Sequence, residues 1–112
     1  MKYKQLPETH KADTIAEAMY GREMEYFHYE FDAINFKYLI NNAPEGTDTK
    51  DIQVRLADTL ASMATVEAVY EALQAQITDQ DEHEAAVIRT TKKREEDAIR
   101  SDKWRNFYSP YS

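Results

Sequence analysis

Residues 20–38 read YGREMEYFHYEFDAINFKY, and their periodicity decides the fold. Tyr20, Met24, Phe27, Phe31, Ile34 and Tyr38 recur at alternating spacings of four and three, the seam one helix presents to another. Ile15, Met19, Tyr26, Tyr29, Ala33, Phe36 and Ile40 fall about half a turn away at roughly 100° per residue. A helix that is apolar on two opposite sides needs covering on both. The uninterrupted seam is expected to meet a second helix of the same chain. Tyr26, Tyr29, Phe36 and Ile40 are then expected to form an interaction face covered by another subunit.

Working outward, Thr14 followed by Glu17 has the spacing of a capping box, which places the start of helix one near residue 14 and leaves 1–12 as an irregular lead-in. Pro44 disfavours helical geometry in the residue before it, so the helix ends near 42. Pro44-Glu45-Gly46-Thr47-Asp48 is a turn, and so short a connector favours antiparallel neighbours. Thr47 or Asp48 is expected to cap helix two, over about 48–77, with Asp51 in its first turn. That helix carries a seam of Ile52, Leu56, Leu60, Met63, Val66, Tyr70, Leu73 and Ile77. Nearly opposite runs a stripe of small residues, Ala57, Ala61, Ala64, Ala68, Ala72 and Ala75. The stripe reads equally as exposed helix-favouring alanine or as a close-packing face.

Thr78-Asp79-Gln80-Asp81-Glu82 resembles a new N-cap with an acidic first turn. No Gly or Pro enforces a break there, so a continuous helix to about residue 100 is the alternative. Such an extension needs something to steady it, and a second subunit is the simplest candidate. Residues 104–112 are too aromatic and Pro-broken to be expected as helix. The fold class is therefore all-α: an antiparallel hairpin (about 14–42 and 48–77), a helical continuation (80–100) and an aromatic tail (104–112). Together these form one domain of 1–112 that assembles into a multi-helix bundle.

Composition agrees. A chain of 112 residues with 42% hydrophobic residues supports one modest core, and only 2 Gly and 3 Pro interrupt it. No apolar run approaches the ~20 residues a membrane span needs. With Cys 0, disulfides and thiolate chemistry are excluded, and the composition suits a cytoplasmic protein. Charge is segregated: residues 1–88 hold 7 Lys/Arg against 17 Asp/Glu, whereas 89–112 hold 7 against 4, within a net charge of -7.

Four constellations could carry chemistry. Glu25-x-x-His28 has the spacing of carboxylate-bridged di-metal bundles, with Glu67 and Glu71 of helix two as further ligands, and would resemble half-size ferritin-like proteins. Those proteins are expected to carry the motif on their second helix, and Glu25 projects well off the seam. His83, among Asp79, Asp81, Glu82 and Glu84, reads as a solvated surface histidine. Lys92, Lys93 and Arg94, followed by Trp104, could grip a nucleic-acid backbone, but the acidic body opposes this and each basic residue has acidic neighbours one turn away. Trp104, Phe107 and Tyr108 fit better as an aromatic cluster docking on a protein groove.

There is no Gly-rich phosphate loop, and no serine lies in a nucleophile-elbow context. The sequence thus leads to a non-enzymatic interaction or assembly protein, a homo-oligomer without a cofactor and without a membrane anchor. A di-metal bundle and nucleic-acid contact are its alternatives.

Overall fold

A computed structural model describes residues 8–108, with side chains from 10 to 102; it is all-α, with α1 at Glu8–Asn41, α2 at Lys50–Gln74 and α3 at Gln80–Tyr108. Residues 1–7 of the expected lead-in and 109–112 of the expected tail lie outside that range. The described chain forms two compact units. One is Ala18–Gln76, the α1–α2 hairpin; the other joins residues 8–17 of α1 to residues 77–108.

The hairpin turns where the sequence says it must. Asn42 closes α1 twice, its backbone N–H and its side-chain Nδ2 both donating to the Tyr38 carbonyl at 3.0 and 2.8 Å. Pro44 follows and cannot continue the helix. The Thr47 N–H then donates to the Pro44 carbonyl at 3.1 Å, with Gly46 at φ +83, a left-handed position that a Cβ would strain. The start of α2 differs from expectation. Its N-cap is Thr49, whose hydroxyl accepts from Gln53 Nε2 at 2.9 Å, while Asp48 Oδ1 accepts from the Lys50 N–H at 3.0 Å.

Inside the hairpin, α2 turns its expected seam inward. Val66 is buried, and Ile52, Leu56, Met63, Tyr70 and Leu73 are half-buried. Leu60 is the exception: it is exposed, and neighbouring Thr59 takes the half-buried position. Every alanine of the small-residue stripe from Ala57 to Ala75 is exposed, and Ala61 also borders a cleft beside α1, so in this chain the stripe is not buried by close helix packing.

The other unit corrects two boundaries. Helix one begins at Glu8 rather than 14, and Thr14 lies inside it, its Oγ1 donating to the His10 carbonyl at 2.9 Å instead of capping. The added turns are held by α3: Ile15 and Ala16 are buried in one helix, Ala86 and Thr90 in the other. Tertiary packing thus overrides a weak capping signal. The Thr78–Glu82 break is real, and Asp79 caps α3. Its Oδ1 accepts from the Glu82 N–H at 3.2 Å and its carbonyl from the His83 N–H at 3.0 Å. Asp81 and Glu82 then sit where the helix dipole favours negative charge. α3 is steadied by the start of α1, a role the sequence reading gave to a second subunit. It also runs to Tyr108, past the expected end near 100. Trp, Phe and Tyr are only mildly unfavourable in helices.

Candidate interaction surface

The two apolar sides of α1 are used in the reverse of the expected order. Tyr26, Tyr29, Phe36 and Ile40, expected as the interaction face, are half-buried on the side that faces α2, and Ala33 in the same stripe is buried. Tyr26 lines a cleft of ≈ 280 Å³ with Val66 and Tyr70, and Tyr29 lines another with Ala61 and Thr65. The uninterrupted seam faces solvent: Met24 is 43% exposed, Phe27 57%, Phe31 64%, Ile34 57% and Tyr38 65%, with Tyr20 at 37%.

The stripe turned inward is interrupted, because its regular spacing passes through Arg22. That residue is accommodated half-buried, with Nη2 at 2.6 Å from Glu25 Oε1, its stem covering apolar surface while the head stays wet. Small size at Ala33 allows the second helix to approach. The folded chain thus leaves a continuous stripe of large apolar side chains exposed, a surface that suits a partner.

At the edge of the hairpin the Tyr70 hydroxyl donates to Glu23 Oε1 at 3.1 Å. Partial burial, reinforced by the adjacent carboxylate, pushes the Tyr70 phenol above its ordinary value of 10.0.

The other candidates are dispersed. Glu25 is engaged by Arg22, and His28 is 75% exposed with Nε2 3.6 Å from Asp32 Oδ2. Glu67 lines the Tyr26 cleft while Glu25 lines the Tyr29 cleft, and Glu71 is exposed. Among the described residues, no three His, Cys, Asp or Glu side chains converge to hold a metal ion. His83 is not solvated as expected. It is half-buried, and its buried Nδ1 has no hydrogen-bond partner among the described residues.

Of the basic cluster, Lys92 and Lys93 are exposed, while Arg94 Nη1 lies 3.0 Å from Glu17 Oε2. Arg89, just upstream, is bound at 2.7 Å to Asp13 Oδ1. These arginines tie α3 to the start of α1, so Arg94 pairs across to Glu17 rather than only with acidic neighbours on its own helix. The side chains of Trp104, Phe107 and Tyr108 lie outside the described residues.

Among the described residues no helix is long and apolar enough to cross a membrane. No protein-family model matches the chain, and no curated protein or solved structure is found similar to it.

Proposed function

We propose that this chain is a non-enzymatic, cytoplasmic assembly protein that works as a homo-oligomer, with the Tyr20–Tyr38 side of α1 as its contact surface. The observation that carries this reading is the open seam: six large apolar side chains at coiled-coil spacing, five of them exposed by 43% or more. Burying the exposed half of such a side chain is worth roughly 1 kcal/mol, so six from each of two copies supply on the order of 12 kcal/mol gross. Association itself costs an estimated ~4–15 kcal/mol, so the expected affinity is modest and the fraction assembled depends on concentration.

The test is solution mass by light scattering over a dilution series reaching low micromolar protein. A mass that rises from one chain to a defined multiple supports the reading. A single-chain mass at every concentration overturns it.

A further inference from the structure

The exposed seam reads nearly the same in both directions: Tyr20, Met24, Phe27, Phe31, Ile34, Tyr38 forwards, and Tyr, Ile, Phe, Phe, Met, Tyr backwards. We infer that two copies pair α1 against α1 in antiparallel orientation, in the register that sets Tyr20 against the partner's Tyr38, Met24 against the partner's Ile34 and Phe27 against the partner's Phe31. This rests on the self-association proposed above and adds orientation and register to it. The contact is isologous, each layer meeting one of its own size across a two-fold axis.

Charge on the flanks selects the orientation. Glu23, Glu30 and Lys37 precede the Met24, Phe31 and Tyr38 layers on one side, and Gly21, His28 and Asn35 follow the Tyr20, Phe27 and Ile34 layers on the other. Parallel helices place one flank against the other, which sets Glu23 beside the partner's His28 and Glu30 beside the partner's Asn35, and leaves Lys37 without a carboxylate. Antiparallel helices place like flanks together, which sets Glu23 beside the partner's Lys37 twice and Glu30 beside the partner's Glu30 once. Two opposite-charge pairs against one like-charge pair favour the antiparallel form.

Gly21 points the same way. It costs helix stability relative to alanine, yet a Cβ built there meets nothing within 4 Å among the described residues. In the antiparallel register it lies across from the partner's Asn35 and next to the Tyr20–Tyr38 layer, the bulkiest pairing at either end of the seam. The missing side chain gives that layer room.

The chain has no cysteine, so thiol cross-linking has a clean background. Met24→Cys and Ile34→Cys are prepared separately, one carrying a mass tag, then mixed and treated with a bis-maleimide of about 8 Å reach, close to the distance between packed helix axes. The antiparallel register predicts the mixed dimer and little of either like-with-like product, because two Met24→Cys sites lie ~15 Å apart at 1.5 Å per residue. Like-with-like products from each variant alone indicate a parallel pair and overturn the inference.

Cross-linking of neither kind, in a protein whose mass is that of an oligomer, assigns association to another face; it overturns this inference and leaves self-association standing. A single-chain mass for the unmodified protein overturns both. Independently of core substitutions, Lys37→Glu should weaken association about tenfold, and adding Glu23→Lys to it should restore association. Failure of the double variant to recover affinity overturns the register.

Discussion

The two units of the molecule are held together differently. In the hairpin, α1 and α2 meet through large side chains: Tyr26, Tyr29, Phe36 and Ile40 of one helix and Ile52, Leu56, Met63 and Tyr70 of the other are half-buried, and Val66 is buried. Where the first turns of α1 meet α3, the most buried groups are small: Ala16, Ala86 and Thr90, beside Ile15. The polar ties there are Arg89–Asp13, whose side chains are both more than a third exposed, and Arg94–Glu17, in which Arg94 is half-buried and Glu17 exposed. Exposed ion pairs contribute little and are screened by salt, and small residues bury little apolar area. The hairpin should therefore be the firmer unit and α3 the first to open. The exposed seam of α1 lies on the hairpin, the unit with the larger buried side chains.

The largest expected effect breaks the seam itself. Phe27→Glu with Phe31→Glu places two carboxylates from each copy at the centre of the proposed contact, where like charges cost several kcal/mol. Association should weaken by at least ~100-fold in sedimentation or light scattering. Helical circular dichroism should stay close to that of the parent, since both side chains are exposed within the chain. A collapse of helicity would show that the seam is covered inside the chain after all. The next effect separates the units. Ala86 is fully buried, so Ala86→Leu overpacks the α1–α3 contact at a cost of ~1–3 kcal/mol. Amide exchange should accelerate through residues 80–100 and change little in α2. Equal acceleration in both helices would mean that they open as one.

Much of this architecture is legible in the sequence, and what is not has an identifiable cause. Pro44 and Gly46 fix the turn by backbone geometry, and Asp79 with its acidic successors marks the start of α3, because these are local effects that need no tertiary partner. The first turns of α1 are different. Thr14 carries a capping pattern that packing of Ile15 and Ala16 against α3 overrides, and that contact joins residues about 70 apart in sequence.

The choice of face on α1 is the instructive miss. Both stripes are rich in aromatic residues, so hydrophobicity does not rank them. The inner stripe is marked by Arg22 and Ala33, which look like flaws in a core but let α2 approach and a charged head reach water. The unbroken seam was legible as a helix-pairing surface. Which of the two stripes meets α2 was not, because pairing within and between chains uses the same spacing. His83 is a smaller case: its acidic neighbours suggested solvation, but the side of α3 that carries it is half-buried.

Two smaller effects sharpen the comparison between the units. Raising salt to about 1 M should speed exchange in α3, where Arg89–Asp13 and Arg94–Glu17 span the contact, and leave the hairpin nearly unaffected. The hairpin answers to alkali instead. Tyr70 donates to Glu23, and its phenol is raised above 10.0, so the folded state holds the proton more tightly than the unfolded chain does. Its contribution is fully present below about pH 10 and is lost as pH climbs from the ordinary phenol value through the higher folded one. Tyr70→Phe removes that titration, so the stability of the variant relative to the parent should rise across this alkaline window. Below pH 9 the difference should be constant, and it should disfavour the variant only by the small worth of one exposed hydrogen bond. Denaturant titrations from pH 8 to 11 measure both. A constant difference across the whole range would mean that the Tyr70–Glu23 contact is not held in solution.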